Sequence, residues 1–123
     1  MIEKKSVFVL EDDDDLRELF TYILETESYA VKAFPNATSF KENILIEHPN
    51  IVIMDVMLPD GNGIEICAAM KKDAKTAHIP VIIMSANWAI LKMKEGCQAE
   101  DYILKPFDVD HLLKRVKEII HNN

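Results

Sequence analysis

The amino-acid sequence predicts an α/β fold in which a five-stranded parallel sheet carries helices on both faces. Short apolar runs alternate with helical patterns along the chain, and this alternation is typical of sheets built from βα units. Four of the five runs are continuously apolar, as strands buried on both faces must be. Because crossovers between parallel strands are right-handed, each strand should deliver the loop that follows it to the same edge of the sheet.

The strands are expected where short runs of β-branched and aromatic residues occur, since such runs are too short for helices. They lie at 7–10, 29–34, 51–54, 81–84 and 102–104. Lys32 interrupts the second run, which favours a position at the edge of the sheet.

The helices are expected between the strands, where apolar residues recur at the spacing of one buried stripe. They are predicted at 16–24, 37–47, 64–70 and 108–120. Asp13, Asp14 and Asp15 suit the cap and first turn of the first helix, and Asn36 suits the cap of the second. The segment 73–79 is predicted to be a polar linker.

The connection after the fourth strand has no clean pattern, so we interpret 87–96 as a connection or a short helix. Its apolar residues do not fall on one stripe; they are Trp88, Ile90, Leu91 and Met93. They either pack into the core or form a partly exposed patch for a partner or a second copy.

The composition predicts one domain over residues 1–123, with an ordinary hydrophobic content of 49%. A net charge of -7 disfavours direct binding of nucleic acid or a membrane, because both attract basic surfaces. No apolar run could span a bilayer and the N-terminus lacks the apolar core of an export signal. We therefore expect a cytoplasmic protein in which Cys67 and Cys97 are reduced and buried. The scattered histidines and the absence of C-x-x-C disfavour zinc.

Polar groups follow four of the expected strands at the point where each strand ends. Glu11 and Asp12 follow the first strand, Asp55 the third, Ser85 the fourth and Lys105 the fifth. Three carboxylates in one place raise one another's pKa values unless a cation compensates. Lys105 offers one positive charge, and all-oxygen ligands favour Mg²⁺ over zinc.

Asp55 is the candidate nucleophile of this group, because it ends a buried strand and precedes a loop that contains Pro59, Gly61 and Gly63. A carboxylate beside Mg²⁺, a lysine and a hydroxyl is prepared to accept a phosphoryl group. The positive charges would neutralise the phosphoryl oxygens, so that positioning and charge stabilisation supply the catalysis. The product would be an aspartyl phosphate.

These motifs closely resemble the receiver domain of two-component response regulators, the CheY-like family. The resemblance covers essentially the whole chain, and four motifs carry it in the correct order and spacing. They are Val-Phe-Val-Leu-Glu-Asp-Asp at 7–13, Ile-Val-Ile-Met-Asp-Val-Met-Leu-Pro-Asp-Gly-Asn-Gly at 51–63, Val-Ile-Ile-Met-Ser-Ala at 81–86 and Asp-Tyr-Ile-Leu-Lys-Pro-Phe at 101–107. The family implies a doubly wound, flavodoxin-like (βα)5 sheet of strand order 2-1-3-4-5.

The resemblance also implies the roles of the site residues. Asp55 would accept the phosphoryl group from a phosphohistidine of a sensor histidine kinase or a phosphotransfer protein. Asp12, Asp55 and the main-chain carbonyl of Met57 would ligate Mg²⁺ (or Mn²⁺), and Glu11 would act through a metal-bound water. Lys105 would pair with the phosphate, next to a cis bond between Lys105 and Pro106.

The domain is expected to act as a signalling switch rather than as an enzyme that turns over a substrate. Ser85 would move toward the phosphate and Tyr102 would follow inward, which changes the surface of the fourth helix, fifth strand and fifth helix (α4-β5-α5). A downstream effector or a dimer partner would read that change as a population shift. Met57 and Asn87 are candidates to tune the lifetime of the phosphate. No effector region follows the last helix, so this chain itself is not expected to bind DNA.

The chain departs from the commonest family pattern at four residues. Glu11 stands where aspartate is usual and Ser85 where threonine is commoner. Asn62 stands for aspartate before Gly63, and Gln98 for glycine. The span from Ser85 to Lys105 is also about two residues shorter than in many relatives, which puts the shape of the fourth helix in question.

Three other functions remain open on the sequence alone. A phosphatase of the haloacid dehalogenase type would use Asp12 as its nucleophile, but Leu16 stands where that motif needs a hydroxyl or small residue. A calcium loop starting at Asp60 would need a glutamate where Lys71 stands. The third is a docking module whose site has lost the ability to accept a phosphoryl group. Against it, every group that this reaction needs is present.

Overall fold

The computed structural model describes residues 3–87 and 97–122. The main sheet has five parallel strands in the order 2-1-3-4-5, counted along the chain. They are β1 (Ser6–Leu10), β2 (Ala30–Phe34), β3 (Ile51–Asp55), β4 (Val81–Ser85) and β5 (Asp101–Leu104). This is the predicted fold, and β2 occupies the edge that Lys32 indicated.

Four helices cover the sheet within the described residues. They are α1 (Asp14–Thr26), α2 (Ala37–Ile44), α3 (Gly63–Lys72) and a C-terminal helix (Val109–His121). The predicted caps are present, because Asp13 accepts from the Leu16 N–H and Asn36 from the Ser39 N–H. Each bond satisfies a main-chain donor that the helix itself leaves unpaired.

Alternate residues of the central strands enter two separate cores, as the period of two requires. Phe8 and Leu10 of β1 pack toward α2 and α3, whereas Val7 and Val9 pack toward α1 and the C-terminal helix. All four side chains have no exposed area. Each such side chain contributes roughly 1.5–3 kcal/mol by leaving water, so the sheet is held rigidly from both sides.

Two sequence-based predictions were wrong in detail, and one element was not predicted. The second helix ends at Ile44 rather than at 47, because the N–H groups of Ile46 and Glu47 both turn back to the Asn43 carbonyl. Ile79 is fully buried, so 73–79 is a packed turn and not a polar linker. Residues 57–62 form a hairpin of two short antiparallel strands, Met57–Leu58 and Gly61–Asn62, which the sequence did not indicate.

The predictions for Trp88, Ile90, Leu91 and Met93 lie outside the described residues. The expected fourth helix of the family therefore stays a prediction. Both cysteines are free thiols and buried, as expected. No helix of the described chain combines the length and apolar character that crossing a membrane requires.

Candidate functional site

The sheet register brings the predicted site residues to one edge. Leu10 pairs with Met54, Asp55 with Met84, and Ser85 with Leu104, so the strand ends are level with one another. The main chain continues this alignment past the last pair, because the Lys105 N–H donates to the Ser85 carbonyl at 2.8 Å.

Three acids form a compact cluster at this edge. Glu11, Asp12 and Asp55 each place a carboxylate oxygen within 4.8 Å of the others. Their exposure differs, since Glu11 is buried, Asp55 is partly buried and Asp12 is exposed. Burial raises the pKa of Glu11, while the hydrogen bonds from Lys105 and from the Asp13 N–H oppose that rise.

Lys105 supplies the positive charge of the cluster. Its Nζ lies 2.7 Å from Oε1 of Glu11 and 3.2 Å from Oδ2 of Asp55. Burial acts to lower the pKa of Lys105, but the bond to Glu11 and the charge of Asp55 outweigh it and raise the pKa overall. The lysine therefore stays protonated beside the two acids.

The donors of the cluster fit a hard divalent cation. All are carboxylate oxygens, and one lysine cannot balance three negative charges. Mg²⁺ favours oxygen ligands and binds through one or two carboxylates while it keeps several waters. Asp12 and Asp55 are the accessible members of the cluster, so they could bind such an ion directly, whereas buried Glu11 is already bonded to Lys105.

The loop after Asp55 is shaped by a close approach at Gly63. A Cβ added at Gly63 would lie 2.1 Å from the carbonyl oxygen of Asp55, which no side chain can tolerate. The Gly63 N–H also donates to the Val56 carbonyl at 2.8 Å. Asn62 then caps α3 through its side-chain oxygen, so its replacement of the commoner aspartate keeps the turn role.

Met57 begins the hairpin and is 68% exposed. Asp55 is fixed just before it, since Oδ1 of Asp55 accepts from the Val56 N–H at 2.8 Å. The other oxygen of Asp55 faces Lys105. The carboxylate thus has one oxygen bound to the main chain and one beside the ammonium.

Ser85 and Tyr102 lie on neighbouring strands. Ser85 is 2% exposed, and its Oγ accepts from the Asn87 N–H at 3.0 Å. The Tyr102 hydroxyl donates to the Cys97 carbonyl at 2.9 Å, and its ring packs against the core beneath α2 and α3. The peptide bond between Lys105 and Pro106 is cis.

Two of the alternatives lose support from these contacts. Both carboxylate oxygens of Asp60 accept hydrogen bonds from the start of α2, so they face α2 rather than a calcium loop. Asp13 caps α1 and Asp14 pairs with Arg17, which leaves Asp12 without the paired acid of a phosphatase motif.

Sequence reasoning missed the roles of Gly63 and Asp60. The sequence places Gly63 in a turn, but it carries no signal for the close approach of Gly63 to the Asp55 carbonyl, which only the folded chain shows. Asp60 bonds to residues 22 and 23 positions earlier, and a Pro-Asp-Gly turn carries no signal for such a partner.

Comparison with known proteins assigns the family. The family model described as "Response regulator receiver domain" matches residues 7–117. The transcriptional regulatory protein CseB of Streptomyces coelicolor is 33% identical over 122 residues, which are 98% of this chain and 51% of that protein. The histidine kinase P4 of Formosa agariphila is 31% identical over 98% of this chain but only 9% of its own length. This chain thus spans about half the length of CseB and a much smaller part of the length of the histidine kinase P4.

A solved structure supports the same assignment. The BeF3-activated receiver domain of DrrB superimposes with a TM-score of 0.86 at 28% identity, covering 97% of this chain and 99% of that domain. The fold, the acid cluster at the carboxyl edge of the sheet and the sequence match agree: the chain belongs to the response regulator receiver domain family of two-component signalling.

Proposed function

We propose that Asp55 is the phosphoacceptor of this receiver domain and that the reaction depends on Mg²⁺ or Mn²⁺. The convergence of Glu11, Asp12 and Lys105 on Asp55 supports this role most directly. The phosphodonor is the phosphohistidine of a sensor histidine kinase or of a phosphotransfer protein. One relative is itself named a histidine kinase, which fits a partnership with such enzymes.

In the transfer, a carboxylate oxygen of Asp55 attacks phosphorus and the bond from phosphorus to the histidine nitrogen breaks. The imidazole leaves with the electron pair of that bond, and Asp55 becomes an acyl phosphate. A bound divalent cation would neutralise charge on the phosphoryl oxygens. Lys105 supplies a second positive charge, and the Ser85 hydroxyl can donate a hydrogen bond to the transferred group.

The phosphorylated domain acts as a switch and not as an enzyme with an external substrate. Ser85 would move toward the phosphate, releasing the Asn87 N–H, and Tyr102 would repack beside it. The surface affected includes β5 and the C-terminal helix, to which the expected fourth helix would add. An effector or a second copy reads the change at this surface, in the cytoplasm, without direct contact to nucleic acid or membrane by this domain.

Incubation with Mg²⁺ and acetyl phosphate tests the assignment. Wild-type protein should gain one phosphoryl group that is acid-stable and base-labile, detected by intact-mass spectrometry. Asp55→Asn should abolish the gain, because the nucleophile is lost. Asp15→Asn, at an exposed acid of α1 outside the cluster, should label normally. Labelling at Asp12, or unchanged labelling of Asp55→Asn, would contradict the assignment.

A further inference from the structure

The tip of the hairpin after Asp55 is bound to the first turn of α2. Oδ1 of Asp60 accepts from the Ala37 N–H at 2.7 Å, and Oδ2 accepts from the Thr38 N–H at 3.0 Å. The Thr38 hydroxyl donates a third bond to Oδ2 at 2.7 Å. These bonds hold the pKa of Asp60 below its usual range, the Thr38 hydroxyl contributing most, so the carboxylate stays ionised at neutral pH.

Packing reinforces this attachment. A Cβ built at Gly61 would lie 3.2 Å from the Cβ of Ala37, which means that the hairpin turn rests directly on the helix. The helix is a firm support, because Ala37, Phe40 and Ile44 are at most 4% exposed. The turn is therefore fixed by charge-assisted hydrogen bonds and by contact to a buried helix.

Two different residues complete the start of α2. Asp60 satisfies the N–H groups of Ala37 and Thr38, whereas Asn36 satisfies that of Ser39 at 2.8 Å. Both are helix caps, but only Asp60 belongs to the segment that follows the phosphoacceptor. Substitution of Asn36 therefore removes a cap of α2 alone, whereas substitution of Asp60 removes a cap of α2 and also releases the hairpin.

The attachment has a consequence for Met57. Within the hairpin Met57 pairs with Asn62, and Leu58 pairs with Gly61. The Met57 side chain is 68% exposed, so it does not anchor the main chain that presents its carbonyl. The base of the hairpin is held at Gly63, and Asp60 holds the tip.

We infer that Asp60 is a positioning residue: it holds the hairpin that follows Asp55 against α2 and so fixes the main chain at Met57, whose carbonyl the family resemblance assigns as a ligand of the divalent cation. The inference rests on the proposed function, because the cation site belongs to that function. Asp60 does not belong to the acid cluster, and both of its carboxylate oxygens are bonded to the start of α2. It acts by preventing the hairpin from moving away from α2.

Calorimetric titration of metal-free protein with Mg²⁺ tests this role without measuring activity. Asp60→Ala should weaken Mg²⁺ binding by about tenfold, the low end of the loss seen when an outer-shell contact of a metal site is removed. Asn36→Ala is the matched control, since it removes a cap from the same helix without touching the hairpin. It should leave the Mg²⁺ affinity unchanged.

The rate of phosphorylation by acetyl phosphate gives a second measurement. Asp60→Ala should phosphorylate slowly at low Mg²⁺ and recover the wild-type rate at saturating Mg²⁺. A loss confined to stability would leave the rate of the folded variant equal to that of wild type at low and at high Mg²⁺. If Asp60→Ala does not fold, Asp60→Asn keeps one acceptor oxygen and should show a smaller loss of affinity in the same direction.

Equal Mg²⁺ affinity in wild type and in the folded Asp60 variants would overturn the inference. An equal loss in Asp60→Ala and Asn36→Ala would also overturn it, because Asp60 would then act only through the stability of α2. Failure of the proposed function looks different, since wild-type protein would itself bind no Mg²⁺ or would not be labelled at Asp55.

Discussion

Lys105 Nζ lies 2.7 Å from Oε1 of Glu11, a residue 94 positions earlier, and 3.2 Å from Oδ2 of Asp55, the proposed phosphoacceptor. The longer glutamate side chain thus forms the closer bond to the lysine. Glu11 is 2% exposed, so without this bond its carboxylate would be a buried charge with the Asp13 N–H as its remaining hydrogen-bond donor among the described residues. Lys105 therefore has a structural task in the resting protein in addition to its proposed contact with phosphate.

Lys105→Met should lower the free energy of unfolding of the metal-free protein by about 3 kcal/mol, the usual cost of leaving one partner of a buried ion pair alone. Urea denaturation in a metal-chelating buffer measures the change. Lys32→Met is the control, because the Lys32–Glu47 pair is about half exposed and its loss should cost less than about 1 kcal/mol. Equal losses in the two variants would show that Glu11 does not depend on Lys105.

Binding of a divalent cation should stabilise the fold, because the acids repel one another in its absence. At a Mg²⁺ concentration about 100 times Kd, the gain in unfolding free energy should be about 2.7 kcal/mol. Asp12→Asn and Asp55→Asn should abolish most of the gain, measured by thermal unfolding with and without Mg²⁺. Asp15→Asn should retain it. A gain that survives in Asp55→Asn would place the cation elsewhere.

Gly63→Ala should displace the main chain of Asp55, since the new methyl group would lie 2.1 Å from its carbonyl oxygen. Overpacking of this kind costs about 3 kcal/mol, and the shifted carboxylate should also accept phosphate more slowly. Gly61→Ala provides the comparison, because its nearest contact is a side-chain carbon at 3.2 Å. Chemical denaturation and acetyl phosphate labelling of both variants would check the prediction. Similar behaviour of the two would contradict it.

The sequence predicted the convergence of Asp55, Ser85 and Lys105 because parallel strands deliver their ends to one edge. It did not predict that Lys105 bonds most closely to Glu11. That preference depends on side-chain length and burial, which no periodicity encodes. The attachment of Asp60 to α2 was missed for a similar reason, since turn residues signal local geometry and not their distant partners.

Helix boundaries show the same limit. Leu45 and Ile46 continue the apolar pattern of α2, but they are 62% and 81% exposed. The helix ends at Ile44 and the main chain turns there, so these two side chains do not continue the buried stripe of α2. Ile79 is the opposite case: it ends a largely polar stretch, residues 71–78, yet the fold buries it completely.

Tyr102 packs β5 against the core, and the pH at which its phenol ionises should report that packing. Burial raises the pKa of the Tyr102 phenol above its ordinary value of 10, and the hydrogen bond to Cys97 raises it further. Burial also raises the pKa of Tyr29. A raised pKa means that the folded state holds the proton more tightly. The stability from both phenols is therefore present in full below pH 10 and is lost as the pH rises further.

Tyr102→Phe should lower the free energy of unfolding at neutral pH by about 1 kcal/mol, because the bond to the Cys97 carbonyl is lost. It should also reduce the fall in stability above pH 10, since one of the two phenols with a raised pKa is gone. Tyr29→Phe should reduce the alkaline fall without the loss at neutral pH, because Tyr29 has no hydroxyl hydrogen bond among the described residues. Urea denaturation across an alkaline pH series measures both effects. An alkaline fall of unchanged size in Tyr102→Phe would mean that the folded state does not protect the phenol.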